Sequence, residues 1–143
     1  MVRAFLIILL LSATAASAAL NVTVFPPKVT GQKAEVPLVL KNNLNEDIRS
    51  ARAVVFLLDG QGKVIAQGTK WIIGGVGSSP GLPVGGTNTF HFVVEASKPF
   101  THTDLTAKVT INRVVLENGR LADVNKDVQV KPANSESVEH PPK

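Results

Sequence analysis

The chain has no cysteine and no tyrosine, and only one tryptophan and one methionine among its 143 residues. Without cysteine there can be no disulfide, no thiol nucleophile, no thiolate-bound metal and no lipid-modified cysteine to serve as a membrane anchor. An exported domain of this composition has to hold itself together by core packing alone. With no tyrosine and a single tryptophan, the stacking platforms that nucleic acids use are scarce, and Lys and Arg stand singly along the chain instead of forming a basic stripe. The formal charge of +4 therefore reads as a solvated surface, and no nucleic-acid partner is expected. Helical spacing is missing over any useful length. Nor is there an apolar run of the roughly 20 residues that a membrane-spanning helix needs.

What is present begins with a leader. Arg3 precedes the apolar stretch Ala4 to Leu11, and small residues follow as far as Ala16-Ser17-Ala18, the layout of a secretory signal peptide cleaved after Ala18. Residues 1–18 are thus expected to be a signal peptide, 19–131 one domain, and 132–143, a polar segment with prolines, a disordered tail. The expected location is the periplasm or the outside of the cell.

Within the domain the dominant signal is alternation at period two. Leu20, Val22 and Val24 alternate with polar residues until Pro26-Pro27 ends the run. Val36, Leu38 and Leu40 do the same, with Pro37 among them; lacking an N–H, Pro37 is expected at an unpaired edge or a bulge. In 48–58, Ala51, Ala53, Val55 and Leu57 share one face, while the other changes from Ser50 and Arg52 to Val54, Phe56 and Leu58. Further strands are expected at 63–73, around Phe90 to Val94, over 105–116 with a phase break near Asn112-Arg113, and from Val124 to Val130. Asn118-Gly119 is a strong hairpin signal. About seven strands with turn chemistry between them predict an all-β fold, an immunoglobulin or fibronectin III-like antiparallel β-sandwich.

The candidate sites are mostly explained by turns. In Asp59-Gly60-Gln61-Gly62, glycines that tolerate positive φ and a carboxylate that can bond backbone amides describe a hairpin loop, and no second acid lies in the loop to build a calcium site. Asp123, Asn125 and Asp127 match the first three side-chain positions of an EF-hand loop. Val128 then stands where glycine is needed and Asn134 where a closing glutamate belongs, so a polar bend is expected and no metal or other cofactor. His91, His102 and His140 fall in separate segments, and the run Thr101-His102-Thr103-Asp104 reads as a solvated connection, since catalytic relays are assembled from distant positions. No serine has a Gly-x-Ser-x-Gly setting, and the glycine-rich stretch 74–86, lacking the Gly-Lys-Ser/Thr ending of a phosphate loop, is expected to be a flexible connection. Asn21-Val22-Thr23 is a formal glycosylation sequon at the start of an expected strand.

Leu40-Lys41-Asn42-Asn43, Ile48, the hairpin Val55 to Val64 and Leu82-Pro83-Val84-Gly85-Gly86 before Phe90 together resemble the bacterial FxLYD family and CARDB-like sandwich domains of exported proteins. The resemblance spans about residues 35–95. It departs from the family name at Val55 and Leu58, where Phe and Tyr are implied, and adds Trp71 and the 74–86 loop. It implies an extracytoplasmic sandwich without a shared catalytic activity.

The expected function is therefore a non-catalytic interaction module that binds an unidentified protein partner, with Val54, Phe56, Trp71 and Val76 as the candidate binding residues. The competing expectation is a small carbohydrate-binding sandwich, which would present two or three coplanar aromatic rings.

Overall fold

The computed structural model describes residues 18–75, 80–102 and 104–133. Its eight strands are β1 (Leu20–Val24), β2 (Lys28–Thr30), β3 (Lys33–Asn42), β4 (Ile48–Leu58), β5 (Val64–Ile73), β6 (Thr87–Glu95), β7 (Thr106–Leu116) and β8 (Val128–Pro132). One sheet runs β6-β3-β1-β8, with β2 on the same side of β3 as β1; the other runs β5-β4-β7. Packed face to face, they form an immunoglobulin-like β-sandwich. Every pairing is antiparallel except β1 with β8, which is parallel.

The alternation read in the sequence is the alternation of burial. Leu20 and Val22 of β1, Val36 and Leu38 of β3, and Val55 and Leu57 of β4 point into one core, and Phe92 of β6 is its largest fully buried side chain. Gly68 in β5 lies opposite that ring: a Cβ there would sit 3.3 Å from Phe92 Cε1. The missing side chain lets β5 close over β6 at this edge of the sandwich.

Four local expectations need correction. The strand not foreseen is β2, a three-residue piece beyond Pro26-Pro27 whose polar ends hide its pattern. Pro37 is neither at an edge nor at a bulge but in the middle of the first sheet. Its carbonyl accepts from the Phe25 amide at 3.0 Å, so its ring nitrogen faces the same side. That side is the gap between the end of β1, opposite Leu38, and the start of β2, opposite Glu35. The absent N–H thus costs no ladder bond.

The third correction concerns the last hairpin. Gly119 takes φ 83° but Asn118 does not take a positive φ, so the reversal is a three-residue loop closed by Leu116 and Arg120 in place of a two-residue Asn-Gly turn, and the returning chain makes only the single bridge Val115 to Leu121. The Asp123 carboxylate accepts from the Asn125 amide at 2.9 Å, and Asp127 Oδ2 accepts from the Asp123 amide at 3.0 Å. These bonds curl 123–127 into a closed turn, so the strand begins at Val128, not Val124, and joins β1 in the other sheet. It reaches Pro132, one residue into the segment assigned from sequence to the tail, and the Ala133 amide still donates to Val24 at 2.8 Å.

One end of the sandwich is tied by a buried polar group. Asn42 has no exposed surface. Its Nδ2 donates to the carbonyls of Leu82 and Glu46, each at 3.0 Å, and its Oδ1 accepts from the Leu44 amide at 3.0 Å. Ile48 and Leu82 exchange backbone bonds of 2.9 and 2.8 Å, and Asp47 Oδ1 accepts from the Val84 amide at 2.8 Å. The second half of the glycine-rich 74–86 stretch is therefore pinned structure, with Leu82 in the core, and not the flexible connection its composition implies.

Candidate functional site

The outer face of the β5-β4-β7 sheet gathers two of the four expected binding residues at its centre and a third at its side. Val54 and Phe56 stand half-buried on β4, pointing away from the core that takes Ala53, Val55 and Leu57. The strand register arranges the face in three rows. Gln67, Phe56 and Lys108 form one, Thr69, Val54 and Thr110 the next, and Trp71, Arg52 and Arg113 the third. Val76, the fourth expected residue, lies outside the described residues.

The third row lies beside irregularities on both neighbours of β4, of which the one on β7 sets its Arg52–Arg113 pair. On β5 the register shifts between Ala51 and Arg52, leaving Ile72 as an extra residue that turns into the core. On β7 it shifts between Arg52 and Ala53, leaving Asn112 extra. That bulge brings Arg113 directly opposite Arg52 on the outer face, where strict alternation after the buried Ile111 would have turned it inward. The phase break near Asn112-Arg113 in the sequence is this bulge.

Trp71 is engaged from two directions. The Arg52 guanidinium lies over its ring, 5.5 Å from the centroid. Gly75, at φ 91°, lays its backbone against the same indole, so close that a Cβ there would collide with Trp71 Cγ. Arg52 is held from the other side as well, its Nε donating to Asn112 Oδ1 at 3.1 Å. The ion pairs among the described residues, Lys33–Glu95, His91–Glu35 and Arg120–Glu46, all lie elsewhere. No acidic side chain occupies any position of the three rows.

A second cluster lies beyond Leu58. A shallow cavity of about 290 Å³ is lined by Asp59, Gly60, Gln61, His102 and Asp104. The turn reading of Asp59 holds: its Oδ1 accepts from the amides of Gln61 at 2.9 Å and Lys63 at 3.0 Å. Those two amide bonds, Lys63 first, hold the carboxyl below the usual carboxylate range, with smaller help from the His102 and Lys63 charges. His102 and Asp104 come beside this turn because Leu58 pairs with Thr106, a juxtaposition that sequence neighbours do not disclose. The cluster offers no hydroxyl or thiol nucleophile among its lining residues, and no metal-holding group of three or more His, Asp or Glu occurs among the described residues.

Along the open side of the sandwich, an apolar groove of about 450 Å³ runs between β7 and β8, with Val24, Leu58, Val109 and Val130 in its walls. No helix among the described residues is long and apolar enough to cross a membrane.

No protein-family model matches this chain, and no curated protein matches it in sequence. The residues that reading the sequence overlooked are Arg52, Asn112, Arg113 and Lys108. The alternation put Arg52 on the outer face, but only the strand register brings the others beside it.

Proposed function

We propose that the protein is an exported, non-catalytic immunoglobulin-like module that binds a protein partner, in a bacterial envelope or outside the cell. The observation that carries this reading is the partly exposed apolar stripe of Val54 and Phe56 on the central strand of the β5-β4-β7 face. Such a stripe, rimmed by polar and charged side chains, is the pattern of an interaction surface. The signal-peptide layout of residues 1–18 and the resemblance to FxLYD and CARDB-like domains support the location.

The carbohydrate-binding alternative has less support. A sugar-stacking site needs an open aromatic face, whereas the Trp71 ring carries the Arg52 guanidinium and the Gly75 backbone. The other rings do not add a coplanar platform: Phe25 and Phe92 are buried, Phe90 meets Phe92 edge to face with centroids 6.2 Å apart, and Phe56 stands two rows away from Trp71 on the outer face.

The test pairs cell fractionation and in situ cross-linking with the Phe56→Ser variant. Export together with cross-links from β4, β5 or β7 to one protein, lost in the variant while its melting curve stays close to the parent's, is the expected result. Retention on immobilised polysaccharides with no protein cross-link would replace this reading by the carbohydrate one.

A further inference from the structure

We infer that the partner presents an acidic, extended peptide segment, and that Arg52 and Arg113 form the seat for one of its carboxylates. This rests on the reading of the outer face as the interaction surface and adds the chemistry of what binds there. Two arginines directly opposite each other on adjacent antiparallel strands repel, and here no carboxylate among the described residues relieves them. The β7 bulge at Asn112 creates this pairing, where a regular strand would have set Asn112 opposite Arg52. Bulges of this kind re-aim side chains next to functional sites.

The Arg52 guanidinium is also fixed in place. Trp71 holds it from β5 and Asn112 bonds its Nε from β7, which leaves the terminal N–H groups of the fork to meet a planar anion. A carboxylate fits that fork in bidentate geometry, and a charge-assisted bond of this type is stronger than a neutral one.

The rest of the face says what surrounds the carboxylate. Moving along β4 from Arg52, the next outward positions are Val54 and then Phe56, with Lys108 beside Phe56. Outward residues two apart are separated by roughly 6.6 Å, so the cation at Lys108 lies about 13 Å along the strand from the arginine row. An extended peptide with the pattern acid, x, apolar, x, acid places its first carboxylate on Arg52 and Arg113, its apolar side chain on Val54 and its second carboxylate at Lys108. A polyanionic glycan would match the charges but not the apolar Val54 and Phe56 side chains between them.

The probe is the peptide Ac-Thr-Glu-Ser-Val-Ser-Glu-Thr-amide, titrated into the isotopically labelled mature protein and followed by amide chemical shifts. Its partner probes are the same peptide with both glutamates replaced by glutamine, and a heparin tetrasaccharide. Saturable shifts confined to β4, β5 and β7, weakened at least about tenfold in the glutamine peptide and about fivefold between 50 and 300 mM salt, are expected. The Arg52→Gln/Arg113→Gln double variant should lose the same response while melting close to the parent, because removal of the like-charge pair offsets the loss of the Arg52 contacts with Trp71 and Asn112. The glutamine peptide tests the idea on the unaltered protein even if that variant folds poorly. Equal binding of both peptides, shifts elsewhere, or saturation by heparin with none by the acidic peptide overturns the proposal. If Phe56→Ser abolishes capture of the cellular partner while the double arginine variant captures it normally, the interaction face stands and the acidic partner falls.

Discussion

The two faces of β4 are built from almost the same apolar vocabulary and end in opposite situations. Inward, Ala51, Ala53, Val55 and Leu57 are completely buried; outward, Arg52, Val54, Phe56 and Leu58 are half-covered by neighbours on β5 and β7. Hydrophobicity therefore does not decide which side of a strand is core. Val55 and Leu57 match Val54 and Leu58 in size, so what separates the faces is that the first sheet packs over the inner one and no strand packs over the outer one. The same contrast holds for polar groups. Asn42 is sealed in and bonded at both ends of its amide, while Asp59 spends its carboxylate on a turn in open solvent.

The largest effect expected from breaking this contrast is on the inner side. Leu57→Ala opens a cavity between the sheets and should lower the unfolding free energy by about 2–5 kcal/mol, read by urea denaturation. Asn42→Ala comes next, at about 1–3 kcal/mol, because the Leu82 and Glu46 carbonyls lose their donor and the Leu44 amide its acceptor. Hydrogen exchange should then quicken in 82–86 before it does in β3. On the outer side, Phe56→Ser should cost only about 1 kcal/mol, since the ring is half-exposed already, yet remove partner capture. A loss as large as that of Leu57→Ala would erase the distinction between the faces.

The smallest effect belongs to Asp59. Its folded-state pKa is depressed, so its charge adds stability above the unfolded-state value, and that contribution fades as pH falls through the folded one. Asp59→Asn keeps an oxygen for the turn amides but no charge. The melting-temperature gap between parent and variant should be small at neutral pH and close on acidification below about pH 4. A gap that widens in acid would mean that the carboxylate is not what the turn amides stabilise.

Much of this architecture was legible because strand burial has period two. Leu20 to Val24, Val36 to Leu40 and Ala51 to Leu57 announce their inward faces one residue at a time, and turn chemistry at Asp59 and Asn118-Gly119 marks reversals locally. Illegible were features that depend on what lies across a gap. Pro37 looked wrong for a central strand because the break between β1 and β2 that accommodates it lies on another strand. The 80–86 segment looked loose because glycine and proline report backbone freedom, not the Asn42 and Asp47 side chains that bind it. Val54, Phe56 and Trp71 could be found from pattern and ring type, but Arg113 could not be seen to oppose Arg52.

By itself, then, the order of residues determined that this chain forms strands, which side of each is apolar, where it reverses and that no disulfide holds it. All of these follow from local sterics and from solvation repeated at fixed spacing. Tertiary structure alone decided which strands are neighbours, that β8 leaves its hairpin for β1, and that a bulge at Asn112 sets Arg113 opposite Arg52, with Trp71 on its other side. Register is a property of pairs of strands, and a single strand carries only half of the information that sets it.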